Sequence, residues 1–220
     1  YFDYKLDTSK EQIYSTNRDI LMNQINENDI IIITNPNQIS NYDFSFEDIE
    51  KLCYEYPQKV FLIDEAYYGY GGFSTLPLIK KYKNIFVLRS FSKEMGLASL
   101  RFGLLFGNCQ SIRYFKNISS VYNTSIFTAK TIEYFLDNYH LIEEHKNNLI
   151  IGREYLFSSL KEKGYNAFST NSMSVFIFFE SEDKANLIYE YLKDNNIYTK
   201  SYSGIKAIRI TAGPIKLMEK

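Results

Sequence analysis

The segment that decides the fold is RSFSKEMGLASLRFG, which runs from Arg89 to Gly103. Within it, Lys93 follows the two serines Ser90 and Ser92 and precedes Arg101 by eight residues. A lysine that must react with a carbonyl compound has to be held in a fixed and partly desolvated position. Hydroxyl groups and a guanidinium close to it are groups that bind phosphate. At this spacing the serines and the arginine would anchor the phosphate of an aldehyde cofactor bound by the lysine, but the pattern is common by itself and gains weight only from the segments that precede it.

Three short apolar runs predict buried β-strands that end in polar residues. The runs are Ile30–Ile33, Val60–Ile63 and Asn84–Leu88. In open α/β sheets, ligands bind at the carboxyl ends of the parallel strands. The polar residues that follow the three runs are, in chain order, Asn37 and Gln38, Asp64 and Tyr67, and Ser90, Ser92 and Lys93. The sequence therefore predicts that these side chains meet at one edge of one sheet.

The order of five motifs along the chain resembles that of the pyridoxal-phosphate enzymes of the class I/II aminotransferase fold. The motifs are NPN (35–37), DEAY (64–67), SFSK (90–93), GLASLR (96–101) and RITAG (209–213). They are most similar to the histidinol-phosphate aminotransferase and threonine-phosphate decarboxylase group, over a span from about Tyr14 to Gly213. The resemblance implies the type I fold of PLP-dependent transferases. This α/β fold has a three-layer α/β/α large domain, expected here only in part, and a small C-terminal α+β domain.

The same resemblance implies a role for each motif residue. Lys93 resembles the lysine that forms a Schiff base with pyridoxal 5'-phosphate, and Asp64 resembles the carboxylate that keeps the pyridine nitrogen protonated. Tyr67 resembles the hydroxyl group that bonds the phenolate oxygen of the ring. Arg209 resembles the arginine that binds the α-carboxylate of the substrate. The implied phosphate-binding set is Ser90, Ser92 and Arg101.

The NPN motif departs from the usual family pattern NPNNPTG. The run from Asn35 is NPNQISN, so the position that contacts the cofactor falls on Gln38 in a direct count, or on Asn37 if the turn is one residue shorter. Both side chains carry an amide donor. In the family, a glycine-rich phosphate loop and an aromatic residue stacked on the ring precede the part matched here. We therefore interpret the chain as the C-terminal two-thirds of an enzyme.

The reaction depends on how the substrate is oriented. If the α-hydrogen stands perpendicular to the cofactor ring, an amino group passes between an amino acid or amino-phosphate and a 2-oxo acid. If the carboxylate held by Arg209 stands perpendicular, carbon dioxide is released instead. We expect an aminotransferase, and the alternatives are an amino-acid-phosphate decarboxylase on the same scaffold or an inactive fragment of a larger fusion protein.

Purely structural explanations exist for the same residues. Asp64 could cap the turn that follows its strand, and Arg101 could form an ion pair with Glu94. Arg209 is harder to explain in this way, because a guanidinium in the apolar strand AIRIT needs an anionic partner. We interpret the glycine-rich segment YYGYGGF (67–73) as a flexible active-site loop, since no phosphate-binding lysine or helix start follows it.

Composition and charge exclude several other classes of protein. With 45% apolar residues and a net charge of −1, the chain is expected to fold, and it offers no electrostatic reason to bind nucleic acid or an anionic membrane. No apolar run approaches the roughly 20 residues that cross a bilayer. Cys53 and Cys109 predict neither a disulfide nor a metal site. We expect a cytoplasmic protein that acts on small-molecule substrates, and the resemblance implies a homodimer.

Helical periodicity divides the chain into three parts. Residues 1–125 alternate short strands with amphipathic helices such as Phe46–Tyr54, which predicts the partial cofactor-binding domain. Residues 126–163 predict two connecting helices, Ile126–Asp137 and His140–Lys163, and Gly164 is expected to end the second. Their predicted apolar stripe is Ile132, Phe135, Leu136, Leu141 and Ile142. Residues 164–220 are predicted to form a small βαβ-like domain, with strands Ser174–Phe179 and Ala207–Thr211 and a helix Lys184–Asn195 between them.

Overall fold

A computed structural model of the chain describes Ile25 and residues 29–39, 44–120 and 123–219. Ser40 and Asn41 of the NPNQISN run, and the residues before Ile25 over which the resemblance begins, lie outside the described residues. The strands are β1 (Ile30–Thr34), β2 (Val60–Asp64), β3 (Ile85–Ser90), β4 (Gly103–Gly107), β5 (Asn166–Ser169), β6 (Ser174–Phe178), β7 (Lys200–Tyr202) and β8 (Ala207–Thr211). The helices are α1 (Phe46–Glu55), α2 (Cys109–Ile118), α3 (Ile126–Asp137), α4 (Tyr139–Glu162), α5 (Glu182–Asp194) and α6 (Ile215–Met218).

The first sheet has the strand order β1-β2-β3-β4. Strands β1, β2 and β3 are parallel, as the three apolar runs predicted, and the register pairs Thr34 with Asp64 and Asp64 with Leu88. The antiparallel strand β4 was not predicted. Its sequence, GLLFG, is short and begins and ends with glycine, so it carries little strand signal of its own.

A core between the sheet and helix α1 fixes the position of the strands. Alternate residues of β1 are buried, and helix α1 contributes Ile49, Leu52 and Cys53 to the same cluster. Each fully buried aliphatic or aromatic side chain contributes roughly 1.5–3 kcal/mol of hydrophobic free energy. A capping box between Ser45 and Asp48 starts the helix. Burial, and secondarily the Glu50 carboxylate, raises the pKa of the Cys53 thiol to about 12, as expected of an unreactive core residue.

The two predicted long helices are confirmed, but their continuous apolar stripe is not. Ile132 and Ile142 are buried, whereas Leu136 and Leu141 are exposed. The helix is interrupted at Asn138, which ends α3 and precedes α4. The apolar residues on the two sides of Asn138 therefore do not continue one helical face. Gly164, with φ of +80°, follows the end of α4 in a conformation that glycine adopts without strain.

The second sheet corrects the prediction of a βαβ-like unit. Its strand order is β5-β6-β8-β7, and all three strand pairs are antiparallel. A βαβ unit would require parallel strands. Helix α5 leads the chain to β7 at the sheet edge, and β8 then returns between β7 and β6. The division into domains at 125 and 163 stays a prediction.

Some properties concern the described residues as a whole. Within the described ranges, no helix combines the length and apolar character needed to cross a bilayer. Cys53 and Cys109 are both free thiols, the first buried and the second exposed. His140 and His145 both lie on the exposed surface of helix α4.

Candidate active site

The carboxyl ends of the three parallel strands form the edge at which the predicted site residues lie. Asp64 is the last residue of the central strand β2. The Asn35 backbone N–H donates to the Asp64 carbonyl at 2.9 Å, and the Glu65 N–H donates to the Leu88 carbonyl at 2.9 Å. The parallel register therefore extends one residue beyond each strand and holds the polar segments side by side.

The NPN turn is held by its own side chains. Asn37 donates from Nδ2 to Thr34 Oγ1 at 2.6 Å and accepts at Oδ1 from the Ile39 N–H at 2.8 Å. The Gln38 carbonyl accepts from Thr170 Oγ1 at 3.2 Å, which ties the turn to the loop between β5 and β6. The choice between Asn37 and Gln38 as the residue that contacts the cofactor therefore stays open.

The Asp64 carboxylate is held in a fixed orientation. It is half-buried, and its Oδ1 accepts from the Ala66 N–H at 3.0 Å. The turn-capping role that Asp64 could have for purely structural reasons is thus present. The same bond orients the carboxylate at the end of β2. An oriented carboxylate can also favour the positively charged form of a group that binds beside it.

Glu65 has an entirely different environment from its neighbour Asp64. Its side chain is fully buried and accepts hydrogen bonds from the Thr75 N–H at 2.6 Å, from Thr75 Oγ1 at 2.8 Å and from Ser74 Oγ at 3.0 Å. Arg89 Nε completes the set at 2.8 Å. Glu65 is therefore an internal structural carboxylate. Sequence reasoning missed this cluster, although an arginine inside the apolar strand IFVLRS signals a buried anionic partner.

Arg89 links the cluster to the glycine-rich segment. Its Nη2 donates to Ser74 Oγ at 2.9 Å, and its guanidinium stacks over the Tyr68 ring with 3.7 Å between the guanidinium carbon and the ring centroid. A cation so placed is attracted by the electrons of the ring face. The cluster thereby fixes the ends of β2 and β3, which carry Asp64 and Ser90.

Lys93 and Tyr67 lie close to each other, as the sequence predicted. The Lys93 Nζ is 5.4 Å from the centroid of the Tyr67 ring, and both side chains are half-buried. Ser90 Oγ accepts from the Ser92 N–H at 3.1 Å, so both serines belong to one tight turn before the lysine. The Lys93 amine therefore lies beside the Tyr67 ring, and the turn that carries both serines comes directly before the lysine.

Arg101 lies in the loop that returns from Lys93 to β4. The loop is closed by the Phe91 N–H, which donates to the Phe102 carbonyl at 3.2 Å, and the register pairs Ser90 with Gly103. Arg101 therefore lies next to the serine turn in the fold, although its own Nη1 donates to the Ala98 carbonyl at 3.1 Å. The guanidinium is exposed.

Glu94 lies against the glycine-rich segment and not in the ion pair with Arg101 that the sequence allowed. Its side chain is buried against Gly69, where an added Cβ would overlap Glu94 Oε2. Burial raises the pKa of the Glu94 carboxyl, and the charges of Arg89 and Lys146 and a hydrogen bond from the Gly69 backbone partly oppose this rise. Glu94 thus packs against the glycine-rich segment.

The glycine-rich segment is closely packed, which corrects the expectation of a flexible loop. Tyr68–Tyr70 form a 3₁₀ turn. Gly69 lies against Glu94, and a Cβ on Gly72 would come within 2.7 Å of Pro36 Cγ. These two glycines therefore allow the backbone to pack closely. A side chain at either position would push away the NPN turn or the loop that carries Lys93 and Glu94, which we call the lysine loop.

Arg209 lies on β8 of the second sheet. Its Nη1 donates to the Tyr202 hydroxyl at 3.3 Å, and its Nε is buried without a hydrogen-bond partner among the residues that the structure describes. A buried guanidinium nitrogen of this kind is costly unless an acceptor meets it. None of the described hydrogen bonds of Arg209 reaches the first sheet, so its predicted position near Lys93 stays a prediction.

Arg153 on helix α4 joins the two sheets and was also missed from sequence. Its buried Nη1 donates to the carbonyls of Tyr70 at 3.3 Å, Thr170 at 3.1 Å and Ser172 at 2.6 Å. These carbonyls belong to the glycine-rich segment and to the loop between β5 and β6. One guanidinium thus connects the segment beside Lys93 to the sheet that carries Arg209. In the sequence Arg153 stands between Gly152 and Glu154, a context that gives no sign of its burial.

The side chains at the sheet edge fit a phosphorylated pyridine aldehyde. The amine of Lys93, the phenol of Tyr67 and the carboxylate of Asp64 supply a nucleophile, a hydrogen-bond donor and a negative charge, the three kinds of group that such a molecule can engage. The hydroxyl groups of the serine turn and the Arg101 guanidinium suit its phosphate. In the described ranges, no group of three or more His, Cys, Asp or Glu side chains could hold a metal ion.

Comparison with known proteins identifies similar chains. The family model described as "Aminotransferase class I and II" matches residues 4–220. The histidinol-phosphate aminotransferase of Thermotoga sp. (strain RQ2) is 32% identical over 199 residues, which cover 89% of this chain and 58% of that protein. The chain therefore spans less than two-thirds of the length of this relative.

Solved structures share the fold. The histidinol-phosphate aminotransferase from Sinorhizobium meliloti, solved in complex with pyridoxal-5'-phosphate, has a TM-score of 0.82 at 19% identity, over 94% of this chain and 60% of that one. The L-threonine-O-3-phosphate decarboxylase from Porphyromonas gingivalis has a TM-score of 0.77 at 17% identity, over 94% of this chain and 66% of that one. At these identities the similarity establishes the fold: a partial α/β large domain and a small α+β domain.

Proposed function

Because the chain belongs to the class I and II aminotransferase family, we propose that the protein is a pyridoxal-phosphate-dependent aminotransferase. It would transfer an amino group between an amino acid or amino-phosphate and a 2-oxo acid. The proximity of the Lys93 amine to the Tyr67 ring, 5.4 Å from Nζ to the centroid, carries this proposal together with Asp64 at the end of the neighbouring strand. The curated relative named a histidinol-phosphate aminotransferase supports an amino-phosphate as the amino donor.

The residues proposed to hold the cofactor are those at the carboxyl edge of the first sheet. Asp64 would face the pyridine nitrogen, Tyr67 the ring oxygen and Lys93 the aldehyde. Asn37 or Gln38 would add an amide contact. Ser90, Ser92 and Arg101 would bind the phosphate. When bound, pyridoxal phosphate supplies an electron sink that stabilises negative charge at the substrate α-carbon.

The proton transfers are assigned to Lys93. Its amine would remove the proton from the substrate α-carbon and deliver it to the aldehyde carbon of the cofactor, acting first as general base and then as general acid. Asp64 would contribute a fixed negative charge, because the Ala66 N–H already holds one carboxylate oxygen in place at 3.0 Å. The Tyr67 phenol would donate a hydrogen bond to the ring oxygen.

Arg209 is proposed to bind the substrate carboxylate. Its buried and unpaired Nε supports this role, because a carboxylate would supply the acceptor that the described residues lack. Bidentate binding would also fix which bond of the α-carbon is broken. This geometry would separate transamination from decarboxylation, which is the alternative reaction on the same fold.

The test uses the full-length protein incubated with pyridoxal phosphate and then reduced with borohydride. We expect mass spectrometry to locate the label on Lys93, and Lys93→Ala to abolish labelling and amino transfer, while the exposed Lys83→Ala serves as the matched control. Transfer of amine to a 2-oxo acid without release of carbon dioxide supports the aminotransferase. Release of carbon dioxide would favour the decarboxylase, and a label on another lysine would refute the assignment of the site.

Two further expectations belong to the same proposal. The family resemblance implies a homodimer whose active site includes residues of both subunits, and we propose a location in the cytoplasm. Light scattering of the full-length protein at micromolar concentration is expected to give the mass of a dimer. A monomer under these conditions would count against this part of the proposal.

A further inference from the structure

The Tyr70 side chain has a contact that the proposed roles do not use. Tyr70 is only 2% exposed, and its hydroxyl group donates to the Lys93 carbonyl at 2.9 Å. The same carbonyl accepts from the Gly96 N–H at 3.0 Å. The peptide of Lys93 is therefore held twice, once by its own turn and once by a residue 23 positions earlier in the chain.

The adjacent residues make the reciprocal contact. Gly69 lies against the Glu94 carboxylate, so closely that an added Cβ would overlap Glu94 Oε2. Two consecutive residues of the glycine-rich segment thus engage two consecutive residues of the lysine loop. We call these four residues (Gly69, Tyr70, Lys93 and Glu94) the clasp. Tyr67 lies three residues before Tyr70 in the same segment. The clasp therefore also contributes to the separation of 5.4 Å between the Tyr67 ring and the Lys93 amine.

We infer that Tyr70 is a positioning residue for Lys93, a conclusion that rests on the proposed function. Lys93 lies three residues beyond the end of β3, outside the hydrogen-bond ladder of the sheet. A side chain with four rotatable bonds reaches a fixed point only if its backbone is fixed. The clasp fixes the backbone of Lys93. It also fixes the distance between the lysine loop and the segment that carries Tyr67.

Two features suit Tyr70 to this role. Burial, followed by the charges of Glu94 and Tyr67, raises the pKa of the Tyr70 phenol, so the hydroxyl group keeps its proton and remains a donor. The Tyr70 carbonyl accepts from Arg153 Nη1 at 3.3 Å, which anchors the backbone of Tyr70 to helix α4. The residue that holds Lys93 is thus itself held by helix α4.

Tyr70→Phe tests the inference, because it removes one oxygen atom and leaves the ring in place. The matched control is Tyr82→Phe, which removes a half-buried hydroxyl group that donates to Glu50 Oε1 at 3.2 Å, outside the clasp. Cofactor-free full-length proteins are mixed with pyridoxal phosphate and quenched with borohydride at timed intervals. The label on the Lys93 peptide gives the rate constant of covalent capture, and urea unfolding gives the stability of each variant.

We expect Tyr70→Phe to slow capture by about three- to tenfold, the range that corresponds to one hydrogen bond. Tyr82→Phe is expected to capture within about twofold of the wild-type rate while losing a similar amount of stability. Equal rates for Tyr70→Phe and the wild type would overturn the positioning role and leave the proposed function intact. If the wild type itself captured no cofactor on Lys93, the proposed function would fail, and the inference would fail with it.

Discussion

Replacing Arg89 by leucine is expected to destabilise the protein more than an ordinary core substitution. The Glu65 side chain is 0% exposed and that of Arg89 is 20% exposed, with 2.8 Å between Arg89 Nε and Glu65 Oε2. Arg89→Leu leaves a buried carboxylate whose remaining described donors, on Ser74 and Thr75, are all neutral. Removing one partner of a buried ion pair costs about 3–5 kcal/mol, because the other charge stays buried without compensation.

The opposite substitution should cost less. Glu65→Gln removes the charge but keeps an oxygen that can accept from the Thr75 N–H and hydroxyl group. The Arg89 guanidinium would remain stacked on Tyr68 and partly in contact with water. The free energy of unfolding is therefore expected to fall by about 1.5–3 kcal/mol, the contribution of a hydrogen bond to a charged group. In the double variant no charge is buried, so its loss should be smaller than the sum of the two single losses by at least about 1 kcal/mol.

Urea unfolding of the full-length protein, followed by circular dichroism, measures these losses. Lys81→Leu is the control, since it breaks the exposed pair between Lys81 and Glu50 and is expected to shift the midpoint little. Strict additivity of the two single substitutions would show that the pair is not coupled. An Arg89→Leu midpoint as close to wild type as that of Lys81→Leu would refute the reasoning about burial.

Three other substitutions have expected outcomes. Asp64→Asn should leave the unfolding midpoint nearly unchanged but lower kcat about a hundredfold or more, because the fixed negative charge is lost; near-normal kcat would contradict its role. Arg209→Lys should raise the apparent Michaelis constant for the amino acid at least about tenfold, or roughly 1.4 kcal/mol, with unchanged cofactor absorbance, and loss of the cofactor would indicate a structural role instead. Glu94→Gln should raise the urea midpoint relative to wild type at about pH 8, because burial raises the pKa of Glu94 and makes its ionised form unfavourable in the folded state. This advantage should disappear as the pH falls below the ordinary value of 4.5, where the wild-type carboxyl is protonated in both states, and an advantage independent of pH would contradict it.

Much of the first sheet could be predicted because its signals are local. The apolar runs of β1, β2 and β3 are bounded by polar residues, as the runs of buried parallel strands are, although β1 buries one face and leaves Ile30 and Ile32 exposed. Strand β4 and the antiparallel second sheet were not predicted, since strand direction depends on how the connections fold back and short glycine-bounded segments carry weak propensity.

The glycine-rich segment shows how a composition can mislead. Glycine allows both free movement and close approach, and only the neighbours decide which applies. In the folded chain the neighbours are Pro36 and Glu94, which lie against Gly72 and Gly69. The residues whose composition indicated a flexible loop therefore form a closely packed one.

The sequence alone determined the family, the three parallel strands and the polar groups that follow them, because motif order and hydrophobic periodicity are properties of short stretches. Only the tertiary structure decided that Glu65 pairs with Arg89, 24 residues away, that Tyr70 bonds to Lys93, 23 residues away, and that Arg153 reaches Tyr70 across 83 residues. A buried donor must find an acceptor wherever the folded chain brings one, and that partner depends on loop closure and sheet order. The residues that would perform the chemistry are thus encoded locally, whereas those that hold them in place are set by contacts distant in the chain.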